Sequence, residues 1–135
     1  ENIKLLHERG IWIEVTTLIV PGQNDDSGEL KQLAEFIAKI DPNIPWHISR
    51  FFPQYKMQDL GSTPLKTLEQ ACEIGVQAGL KYVYVGNASD SAHEATLCPK
   101  CHKAVIERVG YQLNGLNLPD GRCKFCETKI PGVWQ

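Results

Sequence analysis

The chain has 135 residues, of which 42% are apolar and 22% charged, and its net charge at pH 7 is −2. This balance is typical of a globular protein and excludes a disordered or fibrous chain; the length suits one ordinary domain, or one small domain with a metal module. The charge argues against a strong nucleic-acid or membrane-surface binder, and no apolar run approaches the roughly 20 residues that span a bilayer.

The first predicted elements are the end of a helix and a strand. The segment ENIKLLHERG is helical in pattern and stops at Gly10, a residue suited to a left-handed helix end. A chain that begins inside a helix, without Met, is expected to be part of a longer protein. Residues 11–20, rich in β-branched side chains, predict a strand, which PGQND then turns.

A helix and a second strand come next. Ser27 is the predicted N-cap of the helix, which ends before Pro42 because proline disfavours helix at the residue before it. Residues 46–51 predict the second strand. The apolar face of the helix is predicted to consist of Leu30, Leu33, Ala34, Ile37 and Ile40.

Thr63 and Pro64 predict the start of another helix, with the threonine as its cap and the proline in its first turn. Gly79 is predicted to end it, and residues 81–85 predict a third strand. The apolar face of this helix is predicted to consist of Leu65, Leu68, Ala71, Cys72 and Val76.

The order of these elements predicts an α/β fold with parallel strands. Strands recur about every 35 residues with a helix between them, as in βα units with right-handed crossovers. Three strands cannot close a barrel of about eight. We therefore expect residues 1–96 to be the carboxyl-terminal part of a larger (β/α) barrel or sheet, whose missing amino-terminal half would be a partner of this segment.

Strand parity points to a ligand pocket. Glu14 and Thr16 share one face of the first strand, and His47 and Ser49 share one face of the second. A parallel sheet that helices cover on both sides should be almost entirely apolar, so recurring polar residues predict a lumen that holds a polar ligand. In alternative interpretations, His47 is a hydrogen-bonded core or surface residue, and Glu14 pairs with Arg50 inside a barrel.

Four of the five cysteines form two Cys-x-x-Cys pairs separated by 21 residues: Cys98, Cys101, Cys123 and Cys126. This spacing is typical of a tetrahedral four-thiolate zinc site; a single iron in the same geometry, or two disulfides, are the alternatives. We expect residues 97–135 to form a zinc-ribbon-like β module whose metal supplies much of its folding free energy.

The remaining cysteine and the charge of the module bear on location and partners. Cys72 lies in a helical pattern, and an odd count with paired spacing favours a cytoplasmic protein whose thiols bind metal. The module has only a mild excess of basic residues, so we do not expect it to bind nucleic acid. Tyr111, Phe125 and Trp134 could stack on bases, but a small apolar core suits them better.

Four blocks of the sequence together resemble the radical SAM enzymes of the AmmeMemoRadiSam system, relatives of pyruvate formate-lyase activating enzyme. They are EVTTLIVPGQND, PWHISRFFPQYKM, GLKYVYVGN and the closing CPKC…IERVGYQL…GRCKFCETKIPGVW, in order over nearly the whole chain. The resemblance implies a partial (β/α) barrel that binds S-adenosylmethionine beside a four-iron four-sulfur cluster, with a protein as possible substrate.

The resemblance also implies what this chain lacks. The cluster would be held by a Cys-x-x-x-Cys-x-x-Cys loop in the amino-terminal half of the family's barrel, and no such loop occurs here. The chain alone is therefore expected to be inactive. Thr16 matches the position of a cofactor-contacting basic residue in activating-enzyme relatives. It is therefore a candidate cofactor-binding residue, together with His47 and Ser49, which strand parity alone selects.

Two other functions stay open from the sequence. The chain could be a zinc-ribbon binding module that recruits a protein or a nucleic acid. It could also be a rubredoxin-like electron carrier with iron at the four cysteines. The substrate of the radical SAM interpretation is not indicated by any residue.

Overall fold

The computed structural model describes residues 1–88, 93–110 and 112–134, so Tyr111 lies outside the described residues. The chain divides into two compact units, Glu14–Ala88 and a second unit that combines Glu1–Ile13 with Ser89–Gln135. The domain boundary predicted between residues 96 and 97 stays a prediction. No helix among the described residues is long and apolar enough to cross a membrane.

The Glu14–Ala88 unit is a three-stranded parallel sheet with two helices, which confirms the α/β class and the predicted βαβαβ order. The strands lie in the order β1-β2-β3, so neighbours in sequence are neighbours in the sheet. Helix α1 (Asn2–Glu8) precedes this unit. The elements of the unit are β1 (Val15–Ile19), α2 (Ser27–Ile40), β2 (Trp46–Arg50), α3 (Leu65–Gln77) and β3 (Val83–Gly86).

Strand β1 is shorter than the sequence predicts, because its partner strand begins late. The ladder between β1 and β2 starts at the pair Val15 and Trp46. The residue before Trp46 is Pro45, which has no N–H to donate; its carbonyl oxygen accepts a hydrogen bond from the Val15 amide at 2.9 Å. Residues 11–14 therefore pair with no residue of β2 in the ladder, although their sequence favours a strand.

Both predicted helix caps are wrong. Asp26, rather than Ser27, caps α2: its Oδ1 accepts hydrogen bonds from the amides of Gly28 at 2.9 Å and Glu29 at 3.1 Å. Thr63 does not cap α3, whose N-cap is Pro64 without a side-chain hydrogen bond.

The hydroxyl of Thr63 instead joins the ends of the first two strands. It donates to the carbonyl oxygen of Ile19 at 2.6 Å and accepts from the amide of Phe51 at 2.9 Å. Thr63 is fully buried. Its side chain therefore satisfies two strand-end backbone groups that would otherwise be buried without a partner.

The helices bury one face of the sheet, as their apolar periodicity predicts. Ile19, Trp46 and Ile48 pack with the buried side chains of α2 and α3, and Trp46 Nε1 donates to Thr17 Oγ1 at 2.9 Å. The predicted face of α3 is wrong at both ends. Leu65 and Val76 are exposed. An added Cβ on Gly75 would lie 2.9 Å from the indole of Trp46, so the buried face of α3 includes this glycine.

The second unit contains a three-stranded antiparallel sheet, as expected for a small β module. Its strands are β4 (Thr96–Leu97), β5 (Ala104–Val109) and β6 (Gln112–Leu116), in that order. We call its residues 93–110 and 112–134 the cysteine module. Apart from cysteines, the apolar side chains buried there among the described residues are Val105, Leu118 and Ile130.

Candidate metal centre

The first cysteine pair sits in a tight turn between β4 and β5. The amide of His102 donates to the carbonyl oxygen of Cys98 at 2.9 Å. The amide of Cys98 in turn donates to the carbonyl oxygen of Lys103 at 2.9 Å. His102 has φ +57°, which reverses the chain directly after Cys101. The turn leaves both sulfurs on the inside of the loop.

The second pair repeats the same backbone pattern after the short 3₁₀ turn at Pro119–Gly121. The amide of Glu127 donates to the carbonyl oxygen of Cys123 at 2.8 Å. The amide of Cys123 in turn donates to the carbonyl oxygen of Thr128 at 2.9 Å. Glu127 has φ +58°. The two turns, which we call the knuckles, therefore have matching hydrogen bonds and a left-handed residue at the same place.

The four sulfurs of the knuckles converge on one point. All four Sγ atoms lie within 4.8 Å of one another, with Cys98 Sγ 3.5 Å from Cys126 Sγ and Cys101 Sγ 3.6 Å from Cys123 Sγ. A metal–sulfur bond of about 2.3 Å places the sulfurs of a tetrahedral site about 3.8 Å apart. The four thiols fit one tetrahedral metal ion and could hold it.

The disulfide alternative does not describe this arrangement, because all the cysteines are free thiols. Sulfur separations near 3.5 Å are also far from the roughly 2.05 Å of a disulfide bond. The sulfurs are therefore at the separation of ligands that share an ion.

Protonation differs between the two half-buried sulfurs. Hydrogen bonds with the hydroxyl and the backbone of Thr128 lower the pKa of Cys126 to about 6. The backbone of Lys103 lowers the pKa of Cys101, but burial and the neighbouring thiols outweigh it and raise that pKa to about 11. A metal ion bound among the four sulfurs would displace the proton from the Cys101 thiol, because a cysteine that coordinates a metal is a thiolate.

The small apolar core predicted for Phe125 and Trp134 is wrong for these two residues, because both side chains are exposed. Phe125 is 45% exposed, and the ammonium of Lys103 lies 4.7 Å from the centre of its ring. Trp134 is also partly exposed; its Nε1 donates to the carbonyl oxygen of Ile130 at 2.9 Å, and its ring packs on Gly121.

The candidate pocket residues lie together in the other unit, on the sheet face opposite α2 and α3, which we call the polar face. Thr16 on β1 pairs with His47 on β2, and the next pair on that face is Leu18 with Ser49. Thr16 is exposed, whereas His47 and Ser49 are half-buried. Strand parity thus places all three predicted residues correctly on one face; their role in cofactor binding stays a prediction.

Two side chains on the polar face matter more than the sequence indicates. Glu14 Oε2 lies 2.6 Å from His47 Nε2, and the ring of Tyr84 stacks on His47 with centroids 5.1 Å apart. Tyr84 on β3 pairs with His47 in register. The guanidinium of Arg50 donates from Nε to the carbonyl oxygen of Thr63 at 2.9 Å.

Comparison with known proteins adds one relative and no family. The chain is 42% identical over 133 residues to an uncharacterized protein of Methanocaldococcus jannaschii. The match covers 96% of this chain and 40% of that protein, so the chain spans about two fifths of the relative's length. No family model matches the chain. No solved structure matches it either.

Proposed function

We propose that this chain is the carboxyl-terminal portion of a radical SAM enzyme of the activating-enzyme type, with a structural zinc site at its four clustered cysteines. The observation that carries the proposal is the parallel βαβαβ unit with a polar face. Thr16, His47 and Ser49 would contribute one wall of a ligand pocket on that face. The sequence blocks that resemble the AmmeMemoRadiSam enzymes run through the same strands.

Strand order is compatible with a barrel parent. In β1-β2-β3 each strand lies beside the next one in the chain, as in a (β/α) barrel and in one half of a doubly wound sheet. Helices cover the sheet face that would point outward, and the polar residues lie on the face that would point into a lumen. The match to part of a longer protein agrees with a parent larger than these 135 residues.

The residues of this chain do not fit the iron–sulfur cluster of the proposed parent. Four cysteines form the knuckles, and Cys72 is buried in α3. None belongs to a Cys-x-x-x-Cys-x-x-Cys loop. A bound cluster would supply the electron that cleaves S-adenosylmethionine, so the chain by itself is proposed to be inactive and to need the missing half of the barrel.

Zinc is the proposed metal because four thiolates in a closed tetrahedron are typical of structural zinc. Such a site has no open position for substrate and would act by holding the cysteine module together, with a protein substrate as a possible contact. Free thiols of this kind are kept reduced in the cytoplasm, which we propose as the location. Iron at the same four sulfurs would instead give a rubredoxin-like electron carrier.

The test compares this chain with the full-length protein encoded by its gene, both purified without oxygen. We expect about one zinc ion in each. Only the full-length protein should bind about four further iron ions and, with dithionite, release 5′-deoxyadenosine from S-adenosylmethionine. Cys98→Ser in the full-length protein is the matched control: it should lose zinc and keep the additional iron.

Each alternative has its own outcome. A full-length protein with no additional iron and no 5′-deoxyadenosine would overturn the radical SAM proposal. A red chain with iron at the four cysteines would replace the zinc assignment with the electron carrier. Retention of protein or nucleic acid by the zinc form, without any cleavage activity, would favour the binding module.

A further inference from the structure

We propose that His47, positioned by Glu14, is a proton acceptor for a ligand on the polar face of the parallel sheet. The inference rests on the proposed function only in taking this face as a pocket wall. It does not depend on radical chemistry or on the metal centre, and nothing in the resemblance or the comparisons assigns this role to either residue.

The bond to Glu14 decides which nitrogen of His47 carries the proton. An ionised carboxylate has only acceptor atoms, so at 2.6 Å the Nε2 atom must be the donor. Neutral His47 then has a lone pair on Nδ1. A carboxylate that fixes the tautomer and stabilises the imidazolium is the arrangement that makes histidine an effective base.

The neighbours of His47 hold the ring in place without using Nδ1. Tyr84 stacks on one face of the imidazole, and Thr16 is the register partner on β1. Within residues 1–88, 93–110 and 112–134, the imidazole ring of His47 makes one hydrogen bond, to Glu14. The His47 side chain is 29% exposed and that of Glu14 47%, so a small molecule can reach the pair.

The next row of the polar face offers space and a complementary group. Ser49 and Gly86 are register partners, and a Cβ added to Gly86 would come no closer than 3.9 Å to Ser49 Oγ. Asn87 Nδ2 donates to Ser49 Oγ at 3.2 Å, which leaves the serine hydroxyl hydrogen for a ligand. Two residues along a strand, about 6.6 Å, separate this donor from His47.

The ligand class follows from these groups. It is a small polar molecule with an O–H or N–H group toward His47 and an acceptor atom toward Ser49. The proton leaves the ligand's O–H or N–H bond and forms a new N–H bond at Nδ1. The ligand keeps the electron pair, and the imidazolium formed is neutralised by the Glu14 carboxylate, so no other reactant is needed.

The experiment uses this chain and has two readouts. Nitrogen-15 NMR of the imidazole should show the Nε2–H tautomer of His47 in the unaltered chain. Diethyl pyrocarbonate acylates only unprotonated imidazole nitrogen, so the rates are compared at the alkaline plateau, where they no longer depend on pH. There the reagent should modify His47 roughly five- to tenfold more slowly in Glu14→Gln, because a neutral amide replaces a charged acceptor. Exposed His102 is the internal reference, and Glu35→Gln is the control variant.

The outcomes separate the proposal from a merely structural pair and from the proposed function. An Nδ1–H tautomer in the unaltered chain would overturn it without any substitution, so a poorly folded variant cannot conceal the answer. Equal acylation of His47 in Glu14→Gln and in the control would also overturn it. Loss of 5′-deoxyadenosine formation alone, with both readouts as expected, would contradict the radical SAM proposal and leave this one standing.

Discussion

Loss of the proposed metal ion should unfold the cysteine module and leave the Glu14–Ala88 unit folded. The perturbation is Cys98→Ser, which replaces a fully buried sulfur ligand with a poor one. Cys72→Ala is the matched control: it also removes a fully buried thiol, but one outside the cluster, at a cost of about 1 kcal/mol in the other unit.

The magnitude follows from what each unit buries. The three buried apolar side chains of the module contribute about 1.5–3 kcal/mol each, or about 5–9 kcal/mol together. A structural zinc ion at the proposed site would contribute about 10–16 kcal/mol, which would outweigh the apolar core. The Glu14–Ala88 unit instead has a continuous core around Trp46, Ile37 and Leu68, and needs no ion to bury it.

Amide hydrogen exchange read by NMR measures both units in one sample. In Cys98→Ser, the protected amides of β5 and of the two knuckles should exchange at the rates of an unfolded chain, while those of β1 to β3 keep their protection. Cys72→Ala should keep zinc and protected knuckles. Slow exchange at the knuckles of metal-free Cys98→Ser would refute the reasoning, and simultaneous loss of protection in the parallel sheet would refute the independence of the units.

Three further substitutions test packing at single residues. Gly75→Ala should destabilise the parallel unit by about 1–3 kcal/mol in urea, because its Cβ would lie 2.9 Å from a buried indole, while Gly61→Ala, with nothing within 4 Å, should change little. Thr63→Val should cost about 2–4 kcal/mol by the same measurement, because two strand-end backbone groups lose their partner; Thr63→Ser should retain most of the stability. Gly121→Ala should shift the C-terminal indole N–H resonance, since the added Cβ would lie 2.4 Å from that ring, whereas Gly110→Ala, also at positive φ but in open space, should not.

The sequence predicts best where one short-range rule decides. The two Cys-x-x-Cys pairs need only a tight turn each to point their sulfurs inward, and the structure brings the four sulfurs within 4.8 Å of one another. Strand parity is equally local, so Thr16, His47 and Ser49 are correctly placed on one face. Parallel order follows from the alternation of strands and helices.

The errors arise where distant residues compete for a group. Thr63 looks like a helix cap, but its hydroxyl satisfies Ile19 and Phe51, which are 44 and 12 residues away in sequence. Gly75 has no apolar side chain to reveal that it faces the core; the indole of Trp46 takes the space. The bond between Glu14 and His47 joins residues 33 apart, and parity predicts a shared face without predicting that contact.

Because Cys72 is buried, alkylation can distinguish it from the four cysteines of the knuckles. Burial, with Glu69 and Glu73 nearby, raises the pKa of Cys72 to about 12, so at pH 7 almost none of it is the thiolate that reacts with iodoacetamide. Native metal-loaded protein should therefore take up almost no label, and chelation should expose four sites. A fifth should appear only in denaturant, so the mass of the labelled chain reports both ion occupancy and the integrity of the parallel unit.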